Sequence, residues 1–329
     1  MICEREDAMN VIDIVIGFGA GLLATIMFNI APIMQKSGFN QISMQFPGQE
    51  PFPLGELLKN RRWFFGFLVN LIAGLPFIVS ISIIGISVLQ PLTAFGYLLL
   101  VYVAVKKLGE KLTSTAIIGV IVLALMPLFL TLSAVSNTKV NMLDPVAITT
   151  IVVFSAISCA ASLGIAVVDK VSRNKERSSL LWANLSGIIS ALGSIWTQAI
   201  FAFLQSGGYN LFSEIFSGDL FVKIAIANPF VISAIISLIP TLVFTVLGFI
   251  GQQVGYKKGN ATLVYPVSQS VNILVSITGG IVIFGQQVGV PACYVIAIAF
   301  TLLGTLLVGK FQTIISATPQ KSERVDLPL

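Results

Sequence analysis

Among the side-chain amides inside long apolar runs are Asn29, Asn70, Gln90, Asn184, Gln198, Gln269 and Asn272. An amide in hydrocarbon is costly unless it finds a hydrogen-bond partner to replace water. Two kinds of chemistry provide one. The amide bonds a neighbouring helix and fixes the packing, worth about 1 kcal/mol or less, or it faces a cavity and holds a polar solute. Position singles out four of these for solute binding. Gln269 and Asn272 follow Pro266 by three and six residues, a spacing that puts both on one helix face. Asn29 and Asn184 lie in corresponding first spans of two similar halves, described below. Gln90 precedes Pro91 near the end of a span, where a gate would sit. Pro91 and Pro266 fall at the starts of their spans, where a missing N–H costs little. Pro76 and Pro240 fall mid-span, where each frees a carbonyl one turn earlier and forms a candidate hinge.

Other chemistries lack their residues. The chain has no histidine, and its 14 acidic residues lie in loops or at span ends. No carboxylate, imidazole or amine is left inside the spans to relay protons. Cys3, Cys159 and Cys293 have neither disulfide nor metal-ligand spacing, and no metal or other cofactor is expected. A serine or threonine nucleophile would have no evident base, so the chain does not read as an enzyme. A membrane enzyme or a structural protein is the alternative class.

The elements that must position these amides follow from composition. Hydrophobic residues make up 56% of the chain and charged residues 10%, against roughly a quarter charged in a soluble domain. A soluble fold would have to cover its surface with charge that this chain lacks. The expected solvent is a bilayer, crossed by helices of about 20 apolar residues. Nine such runs are found, at 14–34, 63–84, 88–105, 115–133, 146–168, 180–204, 230–254, 261–284 and 291–308. They are too long for strands and lack period-two alternation, which excludes a β-barrel.

Positive charge tests the count independently, because it is retained on the cytoplasmic side. With nine spans and an outside N-terminus, 16 of the 19 Lys and Arg fall on inner segments, Arg5, Lys139 and Lys223 being the exceptions. The expectation is a multi-pass cell-membrane protein with its N-terminus outside and its C-terminus cytoplasmic. The inner cations are spread over five segments, which argues against a nucleic-acid patch. The acidic start MICEREDAMN is unlike a secretory signal, so the first span is expected to remain in place.

Residues 88–110, VLQPLTAFGYLLLVYVAVKKLGE, and 263–286, LVYPVSQSVNILVSITGGIVIFGQ, share a pattern. Each opens on two apolar residues, a polar one and a proline, and closes on Gly109-Glu110 or Gly285-Gln286. By parity the two segments run in opposite directions, and the connections recur as long, short, short. The reading is all-α polytopic, with about nine transmembrane helices in a 4 + 1 + 4 inverted repeat. The first unit covers 1–134, a linker helix 135–179, the second unit 180–310 and a cytoplasmic tail 311–329.

IGFGAGLLATIMFNIAPIMQKSGF, a span opening at Trp63, QPLTAFGYLLLVYVAVKKLGEKLTSTAIIGVIVLAL and KGNATLVYPVSQ…FGQ resemble the four-helix units of the drug/metabolite transporter superfamily. Small multidrug resistance proteins resemble one half, and EamA-type and NIPA-type magnesium transporters resemble the fused whole. The resemblance implies alternating access to a small polar metabolite or ion, and a NIPA-like divalent-cation transporter is the alternative. The membrane-embedded glutamate of small multidrug resistance proteins has no counterpart in ATIMFNIAP, which argues against proton–drug exchange. The partners implied are the solute and the lipid bilayer, and the sequence leaves room for a homo-oligomer. Glu110 is placed to pair with Lys106, Lys107 or Lys111. Gly17-x-x-x-Gly21 and Ser190-x-x-x-Ser194 fit close helix packing. In the loop 35–62, the end of PGQEPFPLGELLKNRRW reads equally as a short amphipathic surface helix and as a plain connector.

Overall fold

The computed structural model describes residues 11–45, 54–84, 86–108, 113–133, 135–136, 142–171, 175–209 and 228–316. Eleven helices make up almost all of it. They are α1 (Val11–Gln45), α2 (Leu54–Lys59), α3 (Arg61–Ile72), α4 (Gly74–Ile84), α5 (Ile86–Leu108), α6 (Ser114–Leu132), α7 (Pro145–Val171), α8 (Lys175–Ser206), α9 (Pro229–Lys258), α10 (Ala261–Phe284) and α11 (Pro291–Ser316). Seven of them, α1 and α6 to α11, are long and apolar enough to cross a membrane. The protein is therefore an all-α polytopic membrane protein in architecture. Its exposed surface is rich in large apolar side chains, among them Leu22, Ile118, Ile157, Leu163, Ile239, Leu242 and Leu306, as a lipid-facing surface requires.

Helix starts follow the local sequence. Asn60 caps α3 by accepting from the Trp63 N–H at 3.0 Å. Asn228 caps α9, accepting from the N–H groups of Phe230 and Val231, with Pro229 at the first helical position. Gly285 ends α10 in the left-handed region, at φ 62°, and the Gln286 N–H turns back to the Gly280 carbonyl at 3.3 Å. The Gly-Gln pair that closes the second repeat segment is thus a helix stop, a conformation glycine adopts without steric cost.

Several boundaries differ from the expected ones. The first helix continues past residue 34 to Gln45, because Phe39 and Ile42 repeat at helical spacing and are buried in the same core as Leu57 and Trp63. The second span is interrupted at Ala73, between α3 and α4. Pro76 lies just beyond, and its missing N–H leaves the Ile72 carbonyl without its helical donor. Pro91 and Pro266 are each the sixth residue of a helix, α5 or α10, and so lie in the second turn instead of the first. They remove an interior helical bond, and the helix-start explanation does not hold for either. Pro240 lies inside an uninterrupted α9. Within 35–62, α2 is a six-residue helix with Leu57 buried, Leu58 exposed and a Lys59–Glu56 ion pair of 2.8 Å.

Close packing follows small residues. The α8–α9 pair forms the most extensive contact, with Gly248, Gly251 and Gly255 laid along Ser190, Ser186 and Ser179. A Cβ at Gly248 would sit 2.8 Å from the Ser190 backbone nitrogen, which no side chain tolerates. Gly21 backs onto α4 and α5 in the same way, and the Gly17 carbonyl accepts from Ser80 at 2.8 Å. α6 and α11 run antiparallel. Gly119 meets Gly304 and Val308 at one end, the Phe129 and Phe300 rings lie 5.0 Å apart further along, and Val135–Ser136 pairs with Gln287–Val288 beyond.

One end of the bundle collects cations. There Lys36 of α1 donates to the Tyr256 carbonyl of α9, Arg62 reaches Ser37 at 3.2 Å, and Lys258 pairs with Asp169 of α7 at 2.8 Å. The core at this end mixes residues from α1, α3, α5 and α6 with residues from α8, α9 and α10, including Trp63, Leu100, Tyr256 and Leu263. A second core, with Ile151, Leu192, Phe203, Val231 and Phe284, is built from α7 to α10.

Candidate functional site

Between α1, α3, α4 and α5 on one side and α8, α9 and α10 on the other lies a cavity of about 380 Å³. This is near the lower end of the roughly 300–1,000 Å³ of ligand pockets. Five amides line it: Gln35, Asn70, Gln252, Gln269 and Asn272. Tyr97, Tyr256 and Tyr265 add hydroxyl-bearing rings, Ser194 and Ser276 add hydroxyls, and Phe28, Phe77, Pro32 and Ile273 complete the wall.

Each position has a local cause. Pro32 interrupts the hydrogen bonding of α1 beside the cavity, since it supplies no N–H to the Phe28 carbonyl. Gln269, Asn272, Ile273 and Ser276 form one stripe of α10 at helical spacing, and the Ser276 hydroxyl donates to Asn272 Oδ1 at 3.3 Å. The Tyr97 and Tyr265 rings meet edge to face at 6.0 Å, as do Phe28 and Phe77 at 5.7 Å. The Gln252 Nε2 is buried beside the cavity and has no hydrogen-bond partner among the described residues.

A polar tie adjoins the cavity toward the cation-bearing end. Gln253 Nε2 donates to Gln35 Oε1 at 2.7 Å, and Trp63 Nε1 donates to Gln253 Oε1 at 3.0 Å. α1 and α3 are thereby joined to α9. Trp63 is 2% exposed and stacks on Phe67 at 5.7 Å, and Phe249 of α9 packs on both rings. The Lys36 bond to the Tyr256 carbonyl links α1 and α9 a second time.

A separate polar cluster joins α7, α8 and α9. Asp169 Oδ2 accepts from Trp182 Nε1 at 2.7 Å and from Lys258 Nζ at 2.8 Å, while its Oδ1 accepts from Ser178. The ammonium of Lys258 also lies 5.3 Å from the centre of the Trp182 ring.

Of the four amides expected to bind solute, Gln269 and Asn272 line the cavity together. Asn29 is buried on another side of α1, where its Nδ2 donates to the Thr25 carbonyl at 2.8 Å and it packs against Gly96. Asn184 Nδ2 donates to the Leu180 carbonyl at 2.8 Å. Neither of these two is among the lining residues. Among the gate and hinge positions, Pro76, Pro240 and Pro266 are at the helical sites given above, and the side chains of Gln90 and Pro91 lie outside the described residues. Gly109 and Glu110 also lie outside them. Among the described residues, no group of three or more His, Cys, Asp or Glu is gathered to hold a metal ion.

The reading of the spans missed Gln35, Gln252, Gln253 and the three tyrosines. Gln35 falls just past the expected end of the first span at residue 34, whereas α1 runs on to Gln45. The Gln252-Gln253 pair carried a usable signal, because two adjacent amides in an apolar helix point about 100° apart and must find different partners. The chain matches no protein-family model, no curated protein and no solved structure.

Proposed function

We propose that the protein is a membrane transporter that carries a small polar solute by alternating access through this cavity. In this reading α1, the interrupted pair α3–α4, α5 and α6 form one unit, α7 is a reversing linker, and α8 to α11 form a second, inverted unit. Nine crossings result, with the N-terminus outside and the C-terminus in the cytoplasm, the arrangement of the drug/metabolite transporter superfamily. The antiparallel α6–α11 contact supports it, since equivalent helices of two inverted units would meet that way. So does the matching position of Pro91 and Pro266, each sixth in its helix. The gathering of Lys36, Arg62, Lys170 and Lys258 at one end fits a cytoplasmic face.

The observation that carries the proposal is the placement of the amide-lined cavity between the two units, with hydrogen bonds closing across them at the cation-bearing end. Inverted-repeat transporters bind their solutes at that kind of interface. A divalent-cation transporter has no comparable support, because a hard cation prefers carboxylates and the lining holds none. Uptake of labelled metabolites and ions into proteoliposomes, with and without a pH gradient, tests the proposal. Saturable uptake lost in Gln269→Leu is expected. Absence of any uptake by well-folded protein would count against transport, and a requirement for the pH gradient would refute the absence of a proton relay.

A further inference from the structure

We infer that the cavity takes an uncharged, ring-bearing solute rich in both hydrogen-bond donors and acceptors, the shared chemistry of nucleosides, free bases and monosaccharides. The inference rests on the transport reading for the site's role, but its argument comes from the lining alone. The fourteen lining residues include no Asp, Glu, Lys or Arg. A net charge brought here from water would meet dipoles without a counter-ion, the situation that makes buried ions prohibitive. Lys36 follows the lining residue Gln35 in α1, and its ammonium is engaged by the Tyr256 carbonyl.

The five amides supply both polarities, since each offers a carbonyl acceptor and an NH₂ donor. Such a lining matches a solute whose edge alternates donors and acceptors, and matches poorly one that is all donor or all acceptor. Gln252 sharpens this. Its buried Nε2 has no partner among the described residues, so it is placed to donate to an acceptor on the solute. The two edge-to-face aromatic pairs, Phe28–Phe77 and Tyr97–Tyr265, supply ring surface on which a flat or ring-shaped body rests. Cavity size sets the upper limit, because about 380 Å³ holds a small molecule and not an oligomer.

The test uses the full-length protein in nanodiscs and matched probes that differ in charge: uridine against uridine 5′-monophosphate, and glucose against glucose 6-phosphate. Tetraphenylphosphonium and Mg²⁺ serve as cations. Saturation-transfer NMR and competition report binding to the parent protein and to Gln269→Leu and Asn272→Leu, two variants of partly buried positions whose folding is checked by thermal unfolding. At least one neutral probe is expected to bind and to weaken about tenfold in either variant, as loss of one hydrogen bond implies. The charged counterpart is expected neither to bind nor to compete. Variant-sensitive binding of a charged probe, or binding of no probe, would overturn the inference. Neutral binding without uptake would leave the inference standing and sink the transport proposal instead.

Discussion

Replacing Gln253 by leucine should loosen the cation-bearing end of the cavity. The substitution removes two side-chain hydrogen bonds, to Gln35 at 2.7 Å and from Trp63 at 3.0 Å. Interhelical bonds of this kind in membranes average about 0.6 kcal/mol and reach about 1.7. Two of them bring the loss to about 1–3 kcal/mol. The loss falls on the closed arrangement, where the Trp63 N–H has no other acceptor shown and is buried at 2% exposure. In an open arrangement both Gln35 and Trp63 would meet water and lose little. A difference of about 1–3 kcal/mol shifts a two-state population by about 5–150-fold. The stacked Trp63, Phe67 and Phe249 rings and the Lys36–Tyr256 bond remain in place. They oppose opening equally in parent and variant, and because two bonds at the average of about 0.6 kcal/mol each give about 1.2 kcal/mol, the expected shift is near the lower part of that range, about tenfold.

The assay is the rate at which a membrane-impermeant maleimide applied from the cation-bearing side labels Gln269→Cys, with Cys3, Cys159 and Cys293 replaced by serine. Labelling about tenfold faster in Gln253→Leu than in its parent is expected. A rate unchanged within about twofold, together with a lowered unfolding midpoint, would refute the reasoning, because about twofold is what negligible coupling produces. The tie would then hold the fold together without acting as a gate.

Asp169→Asn removes the charge that gathers Lys258, Ser178 and Trp182, and the variant should lose about 1–3 kcal/mol of stability, seen as a lower unfolding midpoint in detergent. An unchanged midpoint would mean the cluster contributes no net stability. Gly304→Leu drives a side chain into Leu123, whose Cγ would lie 2.6 Å from the new Cβ, and toward the Gly119 carbonyl at 3.1 Å. It should cost about 1–3 kcal/mol by overpacking, whereas Leu306→Ala, at an exposed position on the same helix, should cost less. Pro240→Ala restores a helical N–H for the Ile236 carbonyl and should slow uptake if Pro240 is a hinge. Unchanged uptake and unchanged maleimide accessibility would rule the hinge out.

The sequence was most informative where one physical rule dominates. Apolar length marked the long helices because nothing but lipid accepts such surfaces, and α6 to α11 lie within a few residues of their expected bounds apart from extensions of α8 and α11. The boundaries failed where tertiary contact overrode hydropathy. Polar residues 35–45 continue α1 because two apolar side chains one turn apart, Phe39 and Ile42, find a buried surface shared with Leu57 and Trp63. Hydropathy averages over the turn and cannot see that pairing. The site was half legible for a related reason. Gln269 and Asn272 share a stripe with Ile273 and Ser276 that periodicity can find, but whether that stripe faces a neighbour or a cavity depends on helix rotation. Asn29 shows the limit. It has the same chemistry and a comparable depth, yet its Nδ2 bonds to the Thr25 carbonyl of its own helix.

The two kinds of interface differ in how they resist movement. α6 and α11 meet through glycines with carbonyls 3.1 Å from where a Cβ would be, and through apolar side chains including the Phe129 and Phe300 rings, so that contact rests on close backbone approach and apolar packing. The contact of α1 and α3 with α9 is different in kind. It rests on amide and ammonium tips at the ends of long side chains, Gln35, Lys36 and Gln253, each of which can exchange its partner for water through a few rotamer changes. The rocking motion of the proposed transporter needs one contact that stays and another that opens. By this difference in chemistry the α6–α11 crossing is suited to be the pivot and the Gln35–Gln253–Trp63 tie the part that separates. The cavity then lies between the part that holds and the part that releases, where a modest rotation changes its access far more than its shape.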